Sequence, residues 1–213
     1  MLIQFISQNQ YRLSNSLFAV CLAALVSSCA ISTSKQEVQK PVAPQAQAAY
    51  QRAVLAMKSG QTKRAFKLFN SISKKYPRFS GPQINIGLMY LKKNKLKKAE
   101  SAFKRAIQIN RDNAVGYNLL GVVYRRSGKF NEAMESYKKA LSKDSEYANA
   151  HLNIGVLYDI YMDDLKRAVH HYEQYQKFAK IADKKVAKWI LDLKRRAQPK
   201  TSKSDQAGGR KQG

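Results

Sequence analysis

One pattern of residue sizes occurs twice in this chain at a fixed offset, and nothing else in the sequence constrains the fold as tightly. Gly87 and Gly121 lie 121 − 87 = 34 apart, as do Tyr90 and Tyr124, Ala99 and Ala133, Phe103 and Tyr137, and Ala106 and Ala140. Within each copy the glycine lets one helix approach its partner closely, and the tyrosine one turn later fills the groove beside it. The two alanines give the second helix a shallow face, so small residues meet large ones at a close crossing. Copy 114–147 carries Ser127-Gly128-Lys129 between its helices, with glycine supplying the left-handed residue that ends the first helix. Copy 80–113 places Asn94 there, the next most tolerant residue for that conformation.

A 34-residue period with small and aromatic residues at these offsets resembles the tetratricopeptide repeat, two antiparallel helices joined by a tight turn. The resemblance implies an all-α, right-handed superhelical solenoid of about four helix pairs spanning 46–182, divided as 46–79, 80–113, 114–147 and 148–182. The first copy keeps Ala65, Phe69, Ile72 and Pro77, but has Ala53 and Ala56 in place of the glycine and tyrosine. The fourth begins near Ala148 and includes Gly155, yet its Ala168 comes one residue late and Tyr175 replaces the second alanine. The extra residue falls in Asp159–Asp164, where Asp163 or Asp164 is expected to cap the next helix. Val186, Trp189, Ile190 and Leu193 follow at i, i+3, i+4, i+7 spacing, which predicts an amphipathic capping helix over 183–197. Residues 198–213 are Pro, Ser, Gly and Lys without apolar pattern, the composition of a disordered basic tail.

The N-terminus has a different character. Leu17–Val26 is a ten-residue apolar run behind Arg12, too short to span a bilayer and followed by small residues, as in a signal peptide over 1–28. It ends in Val26-Ser27-Ser28-Cys29, which resembles the bacterial lipobox and implies lipidation at Cys29. Cys21 leaves with the signal and Cys29 is alkylated, so the mature chain has no free thiol, in keeping with an oxidising periplasm. Ala30 in place of Asp after that cysteine implies, by the sorting rule of such lipoproteins, the outer membrane. Residues 29–45 hold two prolines and no helical periodicity, and read as a tether reaching on the order of 50 Å.

Charge narrows the partners. The chain carries 39 Lys+Arg against 14 Asp+Glu, a formal +25, so anionic surfaces or partners are favoured. Residues 46–131 hold 19 basic residues against Glu100 and Asp112, which places the positive field in the first half. Catalytic motifs are absent: there is no His-Glu-x-x-His, no paired cysteine spacing, no Gly-x-Ser-x-Gly and no phosphate loop. His170 and His171 are adjacent on a helix and point apart. The expectation is a non-catalytic protein with no cofactor and no metal. Nucleic acid suits the charge, but the export signal and the lack of an aromatic–basic platform argue against it.

In the repeat family the first helices line a concave groove. Its exposed positions are, by analogy, Tyr50, Met57 and Lys58, then Leu88 and Lys92, then Asn118, Val122, Arg125 and Arg126, then Asn153, Val156 and Asp159. Basic heads among aliphatic residues and amides suit a peptide with acidic side chains. Lys92, Lys93, Lys95, Lys97 and Lys98 crowd one turn and form a candidate patch for lipid or lipopolysaccharide phosphates. The segment Val115–Tyr124, the run Ala150–Tyr161, Ala168, His171-Tyr172-Glu173, Tyr175 and Trp189–Arg196 resemble small bacterial repeat lipoproteins of TonB-type energy-transduction systems. That resemblance implies a periplasm-facing scaffold. The lipobox and repeats alone also resemble the pilotin lipoproteins of type IV pili.

Overall fold

A computed structural model describes residues 42–198. The expected signal peptide over 1–28, Cys29, most of the tether and nearly all of the basic tail lie outside the described residues. Among those described there are nine α-helices and no strands. They run α1 Pro44–Lys58, α2 Thr62–Lys75, α3 Gly81–Lys92, α4 Leu96–Ile109, α5 Ala114–Arg126, α6 Phe130–Lys143, α7 Ala148–Ile160, α8 Leu165–Phe178 and α9 Lys184–Arg196. Each odd helix through α7 packs most extensively on the even helix after it, and each pair then packs on the next. The result is an all-α solenoid of four helical hairpins, with α9 closing the end against α8.

Residue size sets the crossings. A Cβ added at Gly87 would lie 2.4 Å from the Phe103 ring, one at Gly121 2.5 Å from the Tyr137 ring, and one at Gly155 2.6 Å from the Tyr172 ring. Three successive hairpins therefore repeat one contact, with a helix backbone resting on a fully buried aromatic. Alanines complete it: Ala99, Ala106, Ala133, Ala140 and Ala168 are all buried. The even helices pack one face only, whereas α3 is buried continuously from Gly81 to Gly87. A helix enclosed on several sides needs small or apolar residues all round. Burying an aromatic of this size contributes on the order of 2–3 kcal/mol, so each hairpin carries a strong local term.

The turns follow from backbone conformation. Asn94 has φ +55° and Gly128 φ +72°, and each ends an odd helix in the left-handed region as expected. In the fourth hairpin that role passes to Asp163 at φ +50°, while Asp164 caps α8 by accepting from the Arg167 amide at 2.9 Å.

Two expectations need correction. The tether was expected to run to residue 45, yet α1 begins at Pro44. Proline suits a first helical turn, because its missing N–H is one that would have no intrahelical partner there. Trp189 was placed on the inward face of the capping helix, but it is 44% exposed, while Val186 and Leu193 are buried. Its ring rests on Tyr172 at 5.6 Å between centroids, at the margin of the contact rather than inside it.

Candidate functional site

The odd helices present a common face, and the twelve groove candidates divide sharply on it. Two are core residues. Tyr50 is 8% exposed, its ring packs on Phe69 and Phe79, and its hydroxyl accepts from Asn85 Nδ2 at 2.6 Å. Its equivalents 34 and 68 residues on, Ile84 and Asn118, are buried as well, because this position faces the following hairpin. Asn118 is 4% exposed and accepts from Asn153 Nδ2 at 2.9 Å, so the two amides tie α5 to α7 rather than reaching outward. Leu88, Val122 and Val156 are half-buried against the core clusters, as is Met57. Lys58, Lys92 and Arg126 remain exposed. Arg126 is held in place, donating to the Leu91 carbonyl at 3.2 Å and to Asn94 Oδ1 at 2.9 Å.

Arg125 is the exception in this set. It is half-buried, and no acidic residue among those described pairs with it, although seven other cations are paired. Burial pulls its pKa down, but the phenols of Tyr137 and Tyr161 beside the guanidinium outweigh that and hold it above its ordinary value. Those phenols favour the charge from hydrogen-bonding range of the guanidinium, at a geometry too poor to satisfy Nε. Arg125 Nε and the Tyr137 hydroxyl are both buried without a partner. Burial also raises the Tyr137 phenol's pKa, keeping it neutral. The nearby carboxylate, Asp159, is already engaged: Tyr172 donates to it at 3.1 Å and Arg196 lies 4.0 Å away. The Tyr172 hydroxyl is driven far above its usual pKa by burial and by that carboxylate.

A buried donor left unmatched costs about 1–3 kcal/mol, more when charged. A guanidinium beside phenols, with no acidic partner among the described residues, has the chemistry to accept a carboxylate. Sequence reasoning placed Arg125 here but missed Tyr137, Tyr161 and Tyr172. Tyr137 and Tyr172 read as repeat core positions, and their hydroxyls emerge at the edge of that core. Tyr161 belongs to the lengthened fourth turn, where it stacks on Phe130 at 4.2 Å.

A second polar cluster was also missed. His171 Nδ1 lies 3.2 Å from His151 Nδ1, and His151 Nε2 lies 3.1 Å from the Ser145 carbonyl. Nε2 must donate to that carbonyl, so His151 Nδ1 is the acceptor and His171 Nδ1 the donor. Burial, then the neighbouring His151 and His170, pulls the His171 pKa down to about 4. The neutral pair joins α7 to α8. Among the described residues, no set of three His, Cys, Asp or Glu side chains could hold a metal ion, and no helix is long and apolar enough to cross a membrane. Lys92, Lys93, Lys95, Lys97 and Lys98 are all exposed around the α3–α4 turn.

Comparison with known proteins agrees with this architecture. Family models described as tetratricopeptide repeat match residues 47–78, 83–113 and 102–135, and one described as TPR repeat matches 123–159. No curated protein matches the chain in sequence. Among solved structures, pilF of Pseudomonas aeruginosa superposes with a TM-score of 0.64 at 18% identity, over 71% of this chain and 68% of that one. MamA gives 0.55 at 22% identity, over 67% and 81%. TTC0263, a thermophilic TPR protein of Thermus thermophilus, gives 0.56 at 23% identity, over 71% and 78%. Likeness at this level of identity establishes the fold alone.

Proposed function

We propose that this chain, a tetratricopeptide repeat protein, is a scaffold that binds acidic protein segments along its odd-helix face, with Arg125 as the anchor. One observation carries the reading: a half-buried guanidinium with no acidic partner, set between two phenols. Such a cation gains more from an incoming carboxylate than a solvated lysine does, because part of its desolvation has already occurred on folding. Half-buried Val122 and Val156 supply apolar contact beside it. In this reading the scaffold is anchored by lipid at Cys29 to the outer membrane and faces the periplasm, as an accessory of a TonB-type energy-transduction system. The lipobox-like Val26–Cys29 and the sequence resemblance support that assignment.

Site-specific photo-crosslinking in intact cells tests it, with a photoreactive residue at Val122 and a control at Lys104 on the outer face of α4. The expected result is a crosslinked envelope protein from Val122 only, lost in Arg125→Gln with helical content unchanged. A Val122 crosslink that survives Arg125→Gln contradicts the anchor. A second reading, a pilotin-like assembly factor, is favoured by the lipobox and repeats together. It predicts that deleting the chain mislocalises an outer-membrane secretin ring, and normal ring placement rejects it.

A further inference from the structure

The hairpin turns of the solenoid line up along one edge, and over the first three turns that edge is overwhelmingly positive. The α1–α2 turn, residues 58–64, carries Lys58, Lys63 and Arg64. The α3–α4 turn, residues 92–98, carries the five lysines named above. The α5–α6 turn, residues 126–132, carries Arg126, Lys129 and one acid, Glu132. These three turns hold 3 + 5 + 2 = 10 cations against the single acid Glu132, and every one of the ten is exposed. None forms an ion pair with an acid among the described residues. The bond from Arg126 to Asn94 Oδ1 shows that successive turns are immediate neighbours.

The rest of the molecule lacks this pattern. At the α7–α8 turn Asp163 and Asp164 enter, and Asp164 pairs with Arg167. On the opposite edge Asp112 pairs with Lys143, and Asp144 and Glu146 dilute the field further. Helix packing distances of about 8–10 Å space neighbouring turns, so the three turns form a cationic strip on the order of 20–30 Å long. Eight of the ten cations are lysines. Lysine is a hydrated point charge without the fork that reads a single carboxylate, so the strip suits a delocalised, laterally mobile layer of negative charge better than one acidic peptide. The rings that could stack a base are covered, Tyr90 by Lys98 at 5.8 Å and Tyr124 by Lys129 at 5.9 Å.

We infer that this edge docks on the anionic headgroups of a lipid bilayer, seating the solenoid on its first three turns with the odd-helix face left open at the side. The inference stands whether or not Arg125 binds a peptide.

The test uses the full chain carrying Cys29→Ser, so that acylation cannot contribute, sedimented with vesicles of phosphatidylcholine containing 30% phosphatidylglycerol. Two variants remove equal charge. The edge variant replaces Lys92, Lys93, Lys95, Lys97 and Lys98 with Gln, and the control replaces Lys74, Lys75, Arg78, Arg111 and Lys180 with Gln. Wild type should bind anionic vesicles in a salt-sensitive manner and leave pure phosphatidylcholine alone. With roughly fivefold in partitioning for each basic residue near such a surface, the edge variant should bind roughly 100-fold or more weakly and the control within about tenfold of wild type. Equal losses in both variants would reduce the effect to net charge and overturn the inference. So would absence of vesicle binding, including the case where the edge instead binds polyglutamate or a single-stranded oligonucleotide.

Discussion

Replacing Gly121 with Ala puts the repeat packing under direct strain. A methyl at this position would lie 2.5, 2.6 and 3.0 Å from three carbons of the Tyr137 ring, so that ring must retreat by roughly 1 Å to restore van der Waals contact. Tyr137 is fully buried and its hydroxyl edge faces Arg125, so no open space receives it. Overpacking of this kind costs about 1–3 kcal/mol, while alanine's helix propensity returns about 1 kcal/mol. The net is a destabilisation of up to about 2 kcal/mol, or up to about 8 °C in Tm for an array this size. Urea unfolding followed by far-UV circular dichroism measures it. Combining Gly121→Ala with Tyr137→Leu should cost at least about 1 kcal/mol less than the sum of the single changes, since the smaller side chain relieves the clash. A Gly121→Ala protein stabilised by about 1 kcal/mol, as at an exposed helical site, would refute the close-crossing argument.

Other consequences follow from polar contacts. The depressed His171 pKa, about 4 against an unfolded value of 6.5, means that the unfolded chain binds the proton more readily. Its stabilising contribution is thus complete above pH 6.5 and is lost as pH falls toward 4. With partial solvent screening the loss is about 1–2 kcal/mol, and His171→Phe should flatten the unfolding midpoint across that range. Asp183 caps α9 by accepting from the Lys185 amide at 2.9 Å and the Val186 amide at 3.3 Å. Asp183→Ala should cost about 1 kcal/mol and raise hydrogen exchange in α9 ahead of α3–α6, which exchange measured by mass spectrometry would resolve.

The solenoid was legible because its determinants are local and repeated. Gly87, Gly121 and Gly155 with their aromatics declare a helix crossing wherever they recur, and Asn94 and Gly128 mark where the chain reverses. The binding face was legible only in outline. Analogy gives the side of the helix but not its depth, so Tyr50 and Asn118 were placed outward although both are buried. The two share one repeat position, which faces the following hairpin: Tyr50 packs on Phe79 and meets Asn85, and Asn118 satisfies Asn153. The phenols around Arg125 come from α6 and from the lengthened fourth turn, and the His151–His171 pair joins residues 20 apart. No spacing rule within one helix reveals contacts of that kind. The cationic edge was visible as a lysine cluster at one turn, but its extent depends on three turns aligning in space.

The central claim is that Arg125 is a cation without an acidic partner, ready for a carboxylate. The direct measurement is its side-chain Nε–H resonance in 1H–15N spectra during titration with an acetylated glutamate-rich octapeptide, beside the same peptide with glutamine for glutamate. The account predicts a saturable shift at Arg125 with the acidic peptide and none with the glutamine form. An Arg125 signal that stays fixed, or that moves equally with both peptides, would contradict it.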